Sequence, residues 1–330
     1  MQNLVHKIWY QGHWLQWLLW PFSWLFALVS GLRRTSFKLG ISKQQNFSVP
    51  IIIVGNITAG GSGKTPMVIY LIELLRSKGF TPGVVSRGYG ADIDDVLMVS
   101  DKHSAKDVGD EPAMIFARTK VPMVVGAKRV NAAKRLLKES NVDVIISDDG
   151  LQHYALTRDI EIAIIDGERQ LGNEKLIPAG PLRESKHRLS SVDFVVVNGV
   201  RSDKHQYLMK LQPSDPICLD VTEPSQQLEP STSLVAMAGI GNPQRFFNTL
   251  QQLGFHVDSQ HAFADHQAYK HRELAALAVN KPLIMTEKDA IKCKGFAEGN
   301  WWYLPVNAEL PSNFDNILID KLTQISIRRN

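Results

Sequence analysis

Short apolar runs alternate with stretches of helical spacing over most of the chain. The runs at 51–54 (IIIV), 83–86 (GVVS), 96–99 (VLMV), 122–125 (PMVV), 142–147 (VDVIIS), 160–165 (IEIAII) and 193–197 (DFVVV) are almost continuously apolar. That pattern predicts strands covered on both faces. Between them, the spacing predicts helices at 65–78, 111–119 and 127–139. Strands separated by helices predict an α/β fold with a mostly parallel sheet flanked by helices. From 213 to 230 the pattern breaks. The stretch "PSDPICLDVTEPSQQLEP" carries four prolines and predicts a linker. A second, smaller α/β unit follows, with strands at 234–238, 283–286 and 301–306 and a helix at 243–253. The expected division is an apolar segment at 1–38, a larger unit at 39–212, the linker, and the smaller unit at 231–330.

The first segment has another pattern. From Ile8 to Leu32 there is no Lys, Arg, Asp or Glu. As one helix these 25 residues would reach roughly 37 Å at about 1.5 Å per residue, enough to cross a hydrocarbon core of about 30 Å. Pro21 is expected to kink or divide it. Five of the seven tryptophans lie at 9, 14, 17, 20 and 24, within a wheel arc of roughly 140°. Tryptophan favours the membrane interface. A core helix and a cleaved leader are the other readings, the leader being disfavoured by a single early Lys7 and no clear cleavage site. Arg33, Arg34 and Lys38 follow at once and would hold the downstream chain on the cytoplasmic side.

Composition changes little in this picture. The chain has 330 residues, 44% hydrophobic and 21% charged, sufficient for a sizeable core. A net charge of +4 is too weak to point to nucleic acid and is compatible with an anionic lipid surface. Cys218 and Cys293 have no metal-ligand spacing and fit a reducing compartment.

The chemistry is concentrated in "GNITAGGSGKTP", between the first strand and the first helix. Its end matches the G-K-[ST] of a phosphate-binding loop in the context that motif requires. Thr58, Ala59, Gly60, Gly61, Ser62, Gly63, Lys64 and Thr65 are expected to bind the phosphates of ATP. Lys64 would reach the β- and γ-phosphates, and Thr65 would offer its hydroxyl to Mg²⁺. The pattern asks for glycine at position 58, where this chain has Thr58. "VDVIISDDG" supplies the acids that such a loop needs: Asp148 and Asp149 end an apolar strand and are expected to hold Mg²⁺.

Two kinds of phosphate-loop protein are excluded. Guanine reading needs N-K-x-D, but in "LIMTEKD" Lys288 abuts Asp289. The L-S-G-G-Q signature of transport ATPases is absent. "AGIGNPQRF" (238–246) reads as a tight strand-to-helix turn. A kinase needs a base beside its acceptor hydroxyl and cations around the phosphate. Asp110 in "GDEP" is a candidate base, with helix capping as its alternative. Arg87, Arg183, Lys186 and Arg188 are candidate cations. The helix at 127–139 carries Lys128, Arg129, Lys134, Arg135 and Lys138 off its apolar face, expected to face water or anionic lipid.

Seven motifs occur in order: "GNITAGGSGKTP", "SRGYG", "GDEP", "DDGLQH", "PAGPLRE", "FADHQAY" and "TEKDAIK". Together they resemble the tetraacyldisaccharide 4'-kinase family of lipid A biosynthesis, from the N-terminal segment to about residue 295, and the family's loop has the same form at position 58. The resemblance implies ATP-dependent phosphorylation of the 4'-hydroxyl of a tetraacylated glucosamine disaccharide 1-phosphate. It implies catalytic roles for Lys64, for Asp110 as base and for His266 as its partner. It also implies Asp148 and Asp149 on the metal side with Gln152 beside them, and Glu184 near the metal. A monomer on the cytoplasmic face of the inner membrane is expected, in contact with its phospholipids.

Overall fold

The structure is a computed structural model and describes residues 2–200, 203–219 and 227–329. The strands of the larger unit are β1 (Ile51–Gly55), β2 (Pro82–Ser86), β3 (Val96–Met98), β4 (Met123–Gly126), β5 (Val144–Asp148), β6 (Ile160–Asp166), β7 (Phe194–Asn198) and β8 (Tyr207–Pro213). Those that follow are β9 (Ile217–Cys218), β10 (Ser233–Ala238), β11 (His256–Ala262), β12 (Leu283–Thr286), β13 (Trp301–Leu304) and β14 (Val306–Glu309). The helices are α1 (Gln2–Tyr10), α2 (Leu15–Lys38), α3 (Lys64–Ser77), α4 (Ala105–Val108), α5 (Asp110–Thr119), α6 (Arg129–Glu139), α7 (Pro243–Gln252), α8 (His271–Ala275), α9 (Glu287–Cys293) and α10 (Ser312–Arg329).

Among the described residues, nine strands form one sheet in the order β14-β8-β7-β6-β1-β5-β2-β4-β3. It is parallel except at its two edges, where β3 and β14 run antiparallel. The residues of β1 show why a continuous apolar run is needed. Ile51 and Ile53 enter one apolar layer with Ala132, Leu136 and Leu151. Ile52 and Val54 enter the other with Met67, Leu71 and Ile115. Side chains alternate across a strand, so a strand covered twice has no polar position to spare. The chain leaves β1 toward β2 on one side, and leaves β5 toward β6 on the other. Strand order therefore reverses between β1 and β5, the crevice where open α/β sheets place their ligands.

The smaller sheet has the order β11-β10-β12-β13-β9 and is parallel except for β9. The expected assignment of 231–330 to this unit needs correction at its end. The predicted strand 301–306 is two strands: β13 stays in the small sheet, and β14 pairs with β8 in the large one. Pro305 lies between them and has no N–H to continue a ladder. Helix α10 then buries Phe314, Leu318 and Leu322 in the larger core, with Phe314 against the rings of Tyr70, Phe194 and Tyr207. The expected linker is partly strand, since it begins with the last residue of β8 and contains β9; positions 220–226 of it lie outside the described residues.

The N-terminal segment forms two helices, and they divide at 11–14 rather than at Pro21. Gly12 takes a φ of 71°, which ends α1. Pro21 sits within α2, which continues through it. The Ser23 hydroxyl donates to the Leu176 carbonyl at 2.7 Å and accepts from the Ala179 N–H at 3.1 Å. Trp9 donates to the Pro178 carbonyl at 3.0 Å. The loop at 173–179 thus grips both helices from the side.

Candidate active site

The register of β1 on β5 places the two halves of the phosphate site side by side. Val54 pairs with Asp148, so the acids leave β5 where the glycine turn leaves β1. Gly60 and Gly63 take φ values of 103° and 94°, in the region only glycine enters freely. At Gly63 a Cβ would also lie 2.6 Å from Asn198 Nδ2. Thr58 needs no such freedom. It is extended and bridges to Leu182, while the Ala59 N–H donates to the Pro181 carbonyl at 2.8 Å. The Thr58 departure is therefore a splice onto the "PLR" segment. Gly61 is open on its Cβ side, Thr65 is half-buried in the first turn of α3, and the Ser62 hydroxyl is buried without a partner.

Lys64 Nζ lies 3.6 Å from Asp149, whose other oxygen lies 3.3 Å from Arg183. Burial would raise the Asp149 pKa, but Lys64 and Arg183 outweigh it and hold the carboxyl below the usual range. Asp149 also adopts a left-handed φ of 49°, a strained state typical of functional sites. Asp148 is different. Burial first, then the charges of Glu111 and Asp149, raise its pKa. Its Oδ2 accepts from Ser86 at 2.9 Å, and its Oδ1 is buried without a partner.

An unsatisfied buried carboxylate oxygen beside a second carboxylate fits a hard cation. Among the described residues no group of three acids, histidines or cysteines is assembled to hold one. Mg²⁺ takes one or two carboxylates and completes its shell with waters and phosphate oxygens; here Asp148 and Asp149 could supply the carboxylates. Glu184, expected near the metal, has both oxygens engaged: one accepts from Gln152 at 2.7 Å, the other from Tyr154 and faces Arg188. Gln152 also donates to the Asn56 carbonyl at 3.1 Å. Glu184 therefore braces Gln152 against the start of the phosphate turn.

Arg129 departs from its expected place on a solvated helix face. It is 3% exposed and donates to the Gly126 carbonyl at 2.9 Å and the Asp148 carbonyl at 3.4 Å. Burial lowers its pKa to about 10, which leaves it charged beneath the two acids at neutral pH.

The second half of the site lies between the units. Asp110 opens α5 after Gly109, and its Oδ2 lies 3.0 Å from Nδ1 of His266, a residue 156 positions away. The carboxylate thus faces the second unit, and the N-cap position of α5 is taken by Gly109. Burial would raise the Asp110 pKa; the His266 hydrogen bond and the charges of Lys292 and Lys288 more than offset this, so it lies below the ordinary value. His266 takes a left-handed φ of 62°, packs against Tyr89 with ring centroids 5.1 Å apart, and places Nε2 at 3.3 Å from Lys288. A cleft of about 640 Å³ opens beside the pair, lined by Tyr89, Asp110, Phe116, His266, Lys292 and Phe296.

The turn at 238–246 has a use that its sequence did not disclose. A Cβ on Gly241 would lie 3.7 Å from the Gly61 N–H nitrogen, and the Gly241 carbonyl accepts from Arg169. Arg245 donates to Asn198 at 3.0 Å, and Asn198 donates to the Ser62 carbonyl at 3.3 Å. The second unit therefore touches the phosphate turn as well as Asp110. The G-x-G of "AGIGNP" was the available signal: a Cβ on Gly239 would lie 2.1 Å from the Tyr269 hydroxyl, so that position admits only glycine, whereas one on Gly241 would meet ordinary contacts.

The chain is similar to known proteins in sequence and in fold. The model of the family described as tetraacyldisaccharide-1-P 4'-kinase matches residues 15–323. A tetraacyldisaccharide 4'-kinase of Shewanella frigidimarina is 59% identical over 326 residues, covering 99% of this chain and 97% of that protein. One of Shewanella oneidensis is 60% identical over 328 residues, with the same coverage. Among solved structures, a crystal structure of LpxK from Aquifex aeolicus in complex with ATP superposes with a TM-score of 0.78 at 26% identity. It covers 93% of this chain and 99% of the other.

Proposed function

The chain belongs to the tetraacyldisaccharide-1-P 4'-kinase family and is a kinase of lipid A biosynthesis, and on that premise we propose that Asp110 accepts the proton of the acceptor's 4'-hydroxyl. The hydroxyl oxygen forms a bond to the γ-phosphorus of ATP, the bond from that phosphorus to the β,γ-bridging oxygen breaks, and ADP leaves. The proton ends on Asp110. A sugar hydroxyl is a very weak acid, so the base takes its proton late, as the bond to phosphorus forms. His266 orients the carboxylate from the second unit. The loop from Thr58 to Thr65 cradles the phosphates through its N–H groups and the start of α3. Lys64 places its charge on the transferred group. Thr65, Asp148 and Asp149 would hold Mg²⁺, which when bound neutralises charge that builds on the phosphate oxygens. The observation that carries this reading is the contact of Asp110 with His266 beside a phosphate loop.

The test is transfer of labelled γ-phosphate from ATP to a tetraacyldisaccharide 1-phosphate in detergent with Mg²⁺. A labelled lipid is expected; release of free phosphate with no labelled lipid would overturn the reading.

The same proposal places the enzyme on the cytoplasmic face of the inner membrane. Trp14, just ahead of α2, and Trp17, Trp20, Phe22 and Trp24 on it are exposed, and α2 is long and apolar enough to cross a bilayer by composition. Ser23, within its apolar stretch, is held by the loop at 173–179, so crossing would drag polar backbone into hydrocarbon. The helix therefore lies in one leaflet. There the acceptor keeps its acyl chains in lipid, since exposing them costs about 0.8 kcal/mol per CH₂. Changing Trp14, Trp17, Trp20 and Trp24 together to Gln is expected to move the protein from the membrane pellet to the supernatant, with unchanged thermal unfolding in detergent. A variant that stays in the pellet would show that another surface binds the membrane.

A further inference from the structure

The motif "TEKDAIK" contributes two buried ionic groups that the mechanism above leaves without a role. Asp289 is fully buried. It accepts from the Gly239 N–H at 2.9 Å, from Tyr269 at 2.8 Å and from Thr286 at 2.6 Å. One turn along α9, Lys292 Nζ lies 3.0 Å from Asp289 and 4.0 Å from Asp110 Oδ2. The same ammonium donates to the Gln267 carbonyl at 3.1 Å and sits 4.5 Å over the Tyr269 ring. Its partners are thus two carboxylates, the backbone of the loop that carries His266, and one ring face.

We propose that Lys292, anchored by Asp289, is a positioning residue that holds the Asp110 carboxylate in its ionised, acceptor-facing state. The inference rests on the reading of Asp110 as the base.

Three physical points support it. A buried charge is retained only if paired, and Asp289 supplies a charge partner deep in the second unit. That leaves Lys292 held on one side and facing Asp110 on the other. Lys292 belongs to α9 and Asp110 to α5, so this pairing exists only when the two units meet, as does the His266 contact. Asp289 also holds the Gly239 N–H, at the head of the turn whose Gly241 approaches the phosphate loop. One side chain therefore ties the base to the turn that touches the phosphate site.

The other charges near Asp110 do not duplicate this arrangement. Lys288 is engaged by Asp265 at 2.9 Å and faces Glu111 at 3.7 Å. Glu111, on Asp110's own helix, is of the same sign. On α4, Asp107 is turned to Ser104. On α3, Lys64 pairs with Asp149. Tyr269 is turned to Asp289, and burial with that contact raises its pKa, so it stays neutral. His266 donates directly to Asp110 but is itself placed by the loop that Lys292 holds.

The test compares Lys292→Met and Lys292→Arg in the full-length enzyme, with kcat, KM and the pH profile of kcat measured. Lys292→Met is expected to lower kcat about 10- to 100-fold, less than the roughly 10²- to 10⁴-fold for losing the base itself, with KM for ATP within about twofold. The acidic limb of the profile should move up by about one pH unit, because an opposite charge at this distance lowers a carboxylate pKa by about that much. Lys292→Arg keeps the charge and should restore the limb. In the background of Asp110→Asn, adding Lys292→Met should lower kcat no further, since the two act as a unit. Should Lys292→Met fold poorly, Lys292→Arg still decides: a limb shifted as far as in a neutral variant such as Lys292→Gln overturns the proposal. A fall in kcat with an unmoved limb also overturns it. Near-full turnover of Asp110→Asn alone would instead remove the base reading beneath it.

Discussion

Asp110→Asn is expected to lower kcat by about 10²- to 10⁴-fold while leaving ATP affinity nearly unchanged. The substitution keeps the size of the side chain and removes the ability to take a proton. His266 Nδ1 at 3.0 Å and Lys292 at 4.0 Å would remain, but they would face a neutral amide. None of the contacts around Lys64, Asp148 or Asp149 involves Asp110 directly, so nucleotide binding should persist. The pH profile gives an independent check. In the wild type, burial pushes the Asp110 pKa up, while His266, Lys292 and Lys288 pull it below its ordinary value. The base is therefore ionised throughout the neutral range, and at saturating Mg²⁺, which would hold Asp148 ionised as well, kcat should stay flat until pH falls through that depressed pKa. An acidic limb at or above the ordinary carboxylate range, about pH 4, would contradict the geometry. Turnover of Asp110→Asn within about tenfold of wild type would mean that another group takes the proton. Single-turnover transfer and equilibrium ATP binding, measured on the same preparation, separate these outcomes.

What could be read in advance depends on how local each cause is. The phosphate turn was legible because its causes are local. Gly60 and Gly63 answer to backbone angles, and the apolar run before them answers to burial on both faces of β1. Asp148 and Asp149 were legible because a strand that ends in two acids has few other uses. Their placement beside the turn followed from parallel pairing of β1 with β5. Residues whose roles depend on how the two units meet left no such trace. Nothing in the spacing of Asp110 and His266 tells that they touch, and only the family resemblance paired them. Lys292 and Asp289 lie on a seven-residue helix, too short for periodicity to reveal a buried face. Arg129 looked like one charge of a solvated helix because it was counted with Lys128 and Lys134. Its position at the first turn of α6 instead points it under the ends of β4 and β5. The return of the chain to the large sheet hid in a single residue, since Pro305 divides what reads as one strand. Helix α10 was not expected from the sequence, and its Phe314, Leu318 and Leu322 turn out to cover the large sheet.

Lys64→Ala is expected to damage both quantities that Asp110→Asn separates. Lys64 is nearly buried, with Nζ 3.6 Å from Asp149 and the phosphate turn wrapped ahead of it. Its charge serves the bound nucleotide and the transferred group alike. Loss of one charged hydrogen bond, about 1.5–3 kcal/mol, weakens ATP binding by about 10- to 100-fold. Loss of a preorganised donor to the developing charge lowers kcat by a further 10²- to 10³-fold or so. Arg183 cannot substitute, because its guanidinium is already committed to the other oxygen of Asp149. Lys64→Arg should recover little, since a planar fork does not occupy the place of a compact ammonium. Without Lys64, Asp149 keeps Arg183 but loses its nearest ammonium, and its pKa should rise from its depressed value. The variant's kcat should therefore fall away at higher pH than the wild type's on the acidic side. If ATP affinity survived in Lys64→Ala and only kcat fell, the lysine would act on the transition state alone, and the turn's N–H groups would carry the binding. If only affinity fell, its charge would be spent equally on ground state and transition state. The expected loss in both, set beside the loss of kcat alone in Asp110→Asn, is what distinguishes a group that holds phosphate from one that accepts a proton.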